Sequence, residues 1–333
     1  MNNIAPFLSW LSKELVYGII ITWCSVFSAF GQTNPATNER PDIVDTAAKP
    51  MVFAESVVST PYTEWATSFT PDGNTVYFSQ GAIYWTICFS KKVDGKWTKP
   101  EVANISGKWV DTDPFISPDG KRMIFMSNRP LPGAPQDKHQ PNYHLWYADL
   151  IADNKWGEPV HLPAPINMEG VNNYAPSISS SGTLFFCSRD REGHAGMSSY
   201  SAKWLGDHFD QPKLLALNGK EETQDPFVAP DESYIVFVSG NDLYISYRNS
   251  DGYTTGQKLG KPVNNGDSNS SPCISRDGKM LYYSSARLQG LFTKRDPKNK
   301  ALDYDGLIKE MNTVFNGQDN ILVIPVNIAK KNL

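Results

Sequence analysis

The 333-residue chain has no basic excess: 31 Lys and Arg face 35 Asp and Glu, for a net charge of −4. It also has no run of Lys or Arg, so the clustered positive charge a nucleic-acid surface needs is missing, and nucleic acid is not an expected partner. No GxSxG, HExxH, CxxC or Gly-rich phosphate loop occurs. Hydrolase triads of that type, zinc proteases and nucleotide binding therefore have no motif behind them. Cysteine is scarce, with four residues in all. Cys88, Cys187 and Cys273 each sit inside an apolar β-type run, which fits buried free thiols better than a disulfide frame. Only one long apolar run exists, LVYGIIITWCSVFSAF from Leu15 to Phe30, with Lys13 just ahead of it. Ala29-Phe30-Gly31 offers small residues where a signal peptidase reads, so residues 1–31 are expected to be a cleaved secretory signal. An uncleaved anchor is the alternative, although the run is short for a span. A lipoprotein attached at Cys24 is disfavoured by the bulk of Trp23. Residues 32–49 are polar and read as a flexible leader. A periplasmic or secreted body without a membrane span, working as a monomer, is then expected.

What the chain does have is a recurring turn. Thr70-Pro71-Asp72-Gly73 leads into TVYFS and Ser117-Pro118-Asp119-Gly120 into RMIFMS. Ser179-Ser180-Ser181-Gly182 leads into TLFFCS, Ala229-Pro230-Asp231-Glu232 into SYIVFVS, and Ser275-Arg276-Asp277-Gly278 into KMLYYSS. The second residues of these turns are 47, 62, 50 and 46 residues apart, a repeat-architecture period. Ser or Thr, Pro, Asp and Gly suit the four corners of a type I turn: Pro pre-sets φ, Asp bonds the nearby backbone, and Gly tolerates the exit. With apolar β-formers on both sides, each copy reads as a hairpin, and the Asp of each turn reads first as a turn builder.

Each copy continues with a third β-run, at 82–89, 144–151, 196–202, 242–247 and 320–326. A fourth follows in the first four copies, opened by Trp97, Trp156, Phe209 or Tyr253. Four antiparallel strands make one propeller blade. The fifth copy lacks its fourth strand, yet Lys49-Pro50-Met51-Val52-Phe53 resembles Lys99-Pro100-Glu101-Val102-Ala103. The N-terminal strand is therefore expected to complete the last blade and hide the open sheet edges. The fold expected is all-β, a five-bladed β-propeller over residues 50–333, with six blades as the alternative. In the insertion at 296–318, Leu302, Leu307, Ile308, Met311, Val314 and Phe315 fall near helical spacing. They predict a short amphipathic helix packed on the propeller.

SPDGKRMIFMSNRP, APDESYIVFVSG, NDLYISYR and SRDGKMLYYSS resemble the PD40 repeats, the WD40-like repeats of TolB-type propellers, over about residues 55–328. NGQDNILVIPV is similar to the NG-x-x-DIYWV ending of such chains, with Leu322-Val323-Ile324 in place of Tyr-Trp-Val. The resemblance implies the propeller fold. It implies binding, scaffolding or occasional catalysis as uses, and it carries no catalytic signature that transfers residue by residue.

In a propeller the first strand of each blade lines the channel. Aligned on the turns, Glu64, Asp111, Asn173, Thr223 and Asn269 share one register. Trp65, Thr112, Tyr174, Gln224 and Ser270 share the next, and Ala66, Asp113, Ala175, Asp225 and Ser271 the third. This predicts a polar, acidic mouth with two aromatics. Its candidate ligand-binding residues are Glu64, Trp65, Asp111, Asp113, Asn173, Tyr174, Gln224, Asp225 and Asn269. Such a mouth suits sugar hydroxyls and ring faces, or a protein or peptidoglycan-linked partner. Its carboxylates could instead serve as the acid/base pair of a glycoside hydrolase or polysaccharide lyase, or hold Ca²⁺. The plainer reading is that Asp113 and Asp225, each followed by Pro-Phe, bridge neighbouring blades. No resident metal or other cofactor is expected. Arg129, Arg189 and Arg287 recur after the second strand, where they could grip an anionic ligand, or else pair with an Asp or with loop carbonyls. His139 and His144, five apart in a Pro-bearing loop, lack a trusted metal spacing.

Overall fold

The computed structural model describes residues 42–81, 84–286, 298, 300–314 and 316–328. The proposed signal, residues 1–31, lies outside them, as do Ala82, Ile83, Arg287 and Phe315. Among the described residues, no helix is long and apolar enough to cross a membrane.

The chain folds as a five-bladed β-propeller in which every blade is an antiparallel sheet. The inner strands are Glu64–Phe69, Asp111–Ile116, Asn173–Ile178, Gln224–Val228 and Asn269–Ile274. Second strands follow at Thr75–Gln80, Arg122–Ser127, Leu184–Arg189, Tyr234–Ser239 and Met280–Ser285. Third strands follow at Thr86–Val93, His144–Ala152, Met197–Ala202, Asp242–Asn249 and Asn320–Pro325. The hairpin between the first two strands is the recurring turn. In the first copy Gly73 N donates to Thr70 O at 2.9 Å, while Asp72 Oδ1 accepts from Thr70 Oγ1 at 2.6 Å and Asn74 N at 3.0 Å. Asp119 and Asp277 hold their turns the same way. Gly120 has φ +75°, and a Cβ there would come within 2.8 Å of Pro71, so neighbouring turns also pack on one another.

The expected closure is present. Met51 pairs with Val323 and Val52 with Leu322, which makes the N-terminal strand the fourth strand of blade 5. Ile43 and Val44 are also buried, and Val44 bridges Val326. The packed body thus begins within the segment read as a leader, because its two apolar residues have a cleft to fill. In blades 1, 2 and 4 the aromatic thought to open the fourth strand belongs to a separate short strand, Lys96–Trp97, Lys155–Trp156 or Gly252–Tyr253. That strand folds back on the end of the third. The outermost strands come after it, at Glu101–Val102, Val160–His161 and Gln257–Lys258, and blade 3 has Lys213–Leu214. The third strand of blade 1 also starts later than expected, at Thr86.

The core lies between blades. Tyr77 and Phe89 pack with Phe125 and Trp146 between blades 1 and 2. Ile124 and Leu145 pack with Leu184 and Phe186 between blades 2 and 3, and Phe185 with Ile235 and Phe237 between blades 3 and 4. The largest cluster joins blades 4, 5 and 1 through Val236, Leu281 and Val76. The middle strands are buried on both faces, so they read as the continuous runs IFM, LFFC and YIVFV. Cys88, Cys187 and Cys273 are free and buried.

The helix forms at Tyr304–Met311, capped by the Asp303 side chain, which accepts from Gly306 N at 2.8 Å. The expectation that it packs on the propeller is not met. It buries none of its residues, and Tyr304, Leu307, Ile308 and Met311 form an exposed stripe. Val314, just beyond the helix, supplies the buried anchor.

Candidate functional site

The turn alignment places equivalent residues at equivalent points of the channel, but each inner strand carries a β-bulge after its second-register residue (Trp65, Thr112, Tyr174, Gln224 or Ser270). The third-register residues Ala66, Asp113, Ala175, Asp225 and Ser271 all have left-handed backbone, with φ of 55°, 53°, 45°, 52° and 47°. Strict alternation breaks there, so the three registers do not share one destination.

The first register turns away from the channel. Glu64, Asp111, Asn173, Thr223 and Asn269 are all buried. Glu64 accepts from Thr60 N and Oγ1, Gln80 Nε2 and Asn320 Nδ2, and burial pushes its carboxyl up to about 7. Asp111 is ion-paired with Arg129 at 2.7 Å and accepts from Ser106 Oγ. Asn173 Nδ2 donates to Ile166 O and Asn167 Oδ1, and Asn269 Nδ2 to Val263 O. These four candidates staple the loops that enter blades 1, 2, 3 and 5.

The second register lies near the end of each inner strand that is opposite its turn. Trp65, Tyr174, Gln224 and Ser270 are half-buried, while Thr112 is buried and donates to Ser79 Oγ at 2.7 Å. Trp65 stands edge to face with Trp85 at 5.2 Å, and Tyr174 packs near Tyr143 at 6.0 Å. Blade 1 thus presents one aromatic pair, and Tyr174 of blade 3 forms another with Tyr143, just ahead of the third strand of blade 2.

The third register forms the waist. Asp113 and Asp225 line one cavity together with Ala66, Ala175, Ser271 and the prolines that follow. Its volume is about 40 Å³, room for roughly three waters. Asp113 Oδ2 accepts from Ala175 N of blade 3 at 3.0 Å, and Asp225 Oδ2 from Ser271 N of blade 5 at 2.9 Å. Each aspartate therefore clasps the next blade's bulge. Burial and the charge of Asp113 push Asp225 up to about 6. Burial also raises Asp113, against hydrogen bonds from Ala175, Thr112 and Trp65. Among the described residues, no group of three or more His, Cys, Asp or Glu could hold a metal ion.

Below the waist the channel meets Arg276, a residue the motif reading passed over. Its Nη2 donates to Ile116 O at 2.9 Å and Ser117 O at 3.2 Å, and lies 3.4 Å from Phe69 O. A blade 5 side chain thereby spans to blades 1 and 2 across the turn end. The signal was visible as Arg in place of Pro at the second corner of SRDG.

The recurring arginines separate. Arg129 is buried, donating to Asp111 and to Ile105 O while its guanidinium lies over Phe125 at 4.9 Å. Arg189 is exposed at the mouth side of blade 3, and its charge offsets part of the rise that burial gives the Tyr174 phenol. The blade 3 counterpart of Arg129 is Arg191, fully buried, which donates to Ile166 O at 2.7 Å and to Pro165 O. One extra residue in SRDR hid that equivalence. Arg287 lies outside the described residues. His144 meets His161, Nδ1 to Nε2 at 2.9 Å, in a pair the sequence did not announce.

No family model matches the chain, and no curated protein does. Solved structures do match it. TolB from Acinetobacter baumannii is 15% identical over 81% of this chain with a TM-score of 0.44. The match spans 56% of that protein's length. The alpha-L-arabinofuranosidase from Lactobacillus brevis is 12% identical, with 83% of this chain and 96% of that one covered and a TM-score of 0.49. The GH43 endo-arabinanase from Bacillus licheniformis is 12% identical, with 81% and 96% covered and a TM-score of 0.50. At this distance the likeness concerns the propeller fold alone.

Proposed function

We propose that this chain is a PD40-type propeller, exported by its N-terminal apolar segment, that binds glycan at the channel mouth. The observation carrying this reading is the pair of half-buried aromatics, Trp65 and Tyr174, on blades 1 and 3 at the entrance. Gln224 and Ser270 stand at the same level. Aromatic faces with amide and hydroxyl partners suit sugar rings and their hydroxyls. The channel beneath narrows to about 40 Å³. A ligand would therefore rest on the mouth, with the carboxylates as a floor, and not thread the ring.

A glycoside hydrolase is the second reading. It is favoured by two aspartates on one cavity with pKa values raised, Asp225 to about 6. Against it, each aspartate already commits one oxygen to a backbone N–H of the next blade. The test pairs binding with turnover. On pooled plant and bacterial polysaccharides, the purified protein should bind and release no product, and Trp65→Ala with Tyr174→Ala should abolish retention. New reducing ends or unsaturated products, lost in Asp113→Asn with Asp225→Asn, would overturn the binding-only reading.

A further inference from the structure

The recurring turn departs from its pattern in two neighbouring blades, and the departures meet. Blade 3 has Ser181 where other turns have Asp. Blade 4 has Glu232 where the others have Gly, and Glu232 keeps the left-handed backbone, φ 60°, that Gly would adopt without strain. The Glu232 carboxylate reaches across the blade seam. Its Oε1 accepts from Ser179 Oγ at 2.8 Å and Ser181 Oγ at 2.6 Å, and its Oε2 from Arg248 Nη1 at 2.7 Å. This network lines a cavity of about 650 Å³ on the turn side of the ring, the end opposite the mouth. The far wall is Trp204, 43% exposed, held edge-on by Phe209 at 5.0 Å. Trp204 also backs onto Gly182, where a Cβ would come within 3.3 Å of it.

We propose that this seam between blades 3 and 4 is a second ligand site, separate from the mouth, and that it takes a neutral saccharide. An exposed indole supplies a platform for a sugar face. Opposite it, serine hydroxyls, a carboxylate and a guanidinium are already oriented by one another. The lining charges balance, Lys203 and Arg248 against Asp231 and Glu232, which disfavours a strongly anionic or cationic ligand. The volume lies within the range of small-molecule sites, roughly 300–1,000 Å³.

The test reads Trp204 directly. Indole N–H signals of ¹⁵N-labelled protein are followed while cellohexaose, xylohexaose, mannohexaose, chitohexaose and a heparin hexasaccharide are added in turn, with Trp204→Phe assigning the peak. At least one neutral hexasaccharide should shift the Trp204 signal. Glu232→Gly should weaken that response at least tenfold, and Trp65→Ala should leave it unchanged. Glu232→Gly restores the repeat turn but removes three side-chain contacts, two of them across the seam, so its urea unfolding is measured alongside, and a loss of response in a variant that unfolds cooperatively reports the site. A Trp204 signal unmoved by every sugar, or unaltered by Glu232→Gly, would overturn the proposal. A response to heparin alone would replace the neutral saccharide with an anionic one. Failure of the mouth reading leaves this result untouched, because Trp65→Ala separates the two.

Discussion

Arg129 and Arg189, grouped by the sequence as one recurring arginine, carry opposite burdens. Arg129 compensates a fully buried carboxylate at 2.7 Å, so Arg129→Met should strand Asp111 and cost roughly 3–5 kcal/mol in urea unfolding. Arg189 is exposed, and Arg189→Met should change stability by no more than about 0.5 kcal/mol. Equal losses would mean the two arginines are not divided in this way. His161 offers a second residue-level prediction. Burial and the adjacent His144 push its imidazole down to about 4. Between pH 6.5 and 4 the unfolded chain then binds more protons than the folded one. The stability this group contributes is present above pH 6.5 and lost as pH falls toward 4, on the order of 2 kcal/mol. Asp225, raised to about 6 by burial and by Asp113, acts in the opposite sense over part of that window. The informative quantity is therefore the difference between parent and His161→Gln. The parent should lose several more degrees of Tm between pH 7 and pH 4.5, and parallel curves would refute the assignment.

At the scale of strands and turns, much was legible because local chemistry dictates it. The recurring turn, complete in two copies and varied in three, marked every hairpin, and the doubly buried second strands announced themselves as unbroken apolar runs. The channel registers were legible only in part. Alternation assumes a regular strand, and the left-handed residue at Ala66, Asp113, Ala175, Asp225 and Ser271 breaks that rule in all five blades. Glu64, Asp111, Asn173 and Asn269 consequently went from expected mouth residues to buried staples. No residue type in those strands signals such a bulge, since Ala, Asp and Ser all occupy it. Departures from the repeat were the better guide: Arg276 for Pro marks the side chain that ties blade 5 to blades 1 and 2 at the turn end, and Glu232 for Gly marks the seam between blades 3 and 4. The helix makes a prediction at this scale. Its 3–4 spacing correctly gave an amphipathic element but not its burial. Leu307→Lys with Met311→Lys should therefore leave stability within about 1 kcal/mol of the parent, checked by chemical denaturation. A loss of roughly 4 kcal/mol or more would mean that the stripe packs against the ring.

At the scale of the whole molecule, the ring depends on a closure made by very few residues. Met51–Val52 supply the fourth strand of blade 5, and Phe53 N donates to Ile321 O at 2.9 Å. Phe53 also sits edge to face against Phe69, Trp97 and Tyr282 at 5.8, 5.4 and 5.1 Å, which ties blade 5 to blade 1. Ile43 and Val44 extend the same seam. Burying these three large apolar side chains is worth roughly 4.5–9 kcal/mol at about 1.5–3 kcal/mol each, comparable with the whole stability of an ordinary domain. A chain beginning at Ala54 should therefore lose cooperative unfolding. It should also self-associate through the bare edge of Asn320–Pro325, which would present unpaired backbone donors and acceptors. A chain beginning at Pro41 keeps every one of these contacts and should melt as the parent does. Adding a synthetic peptide of residues 42–53 to the truncated chain should restore a cooperative transition whose midpoint rises with peptide concentration, as linkage requires. A truncated chain that melts like the parent without the peptide would mean that the other four blades and the inter-blade clusters hold the ring on their own.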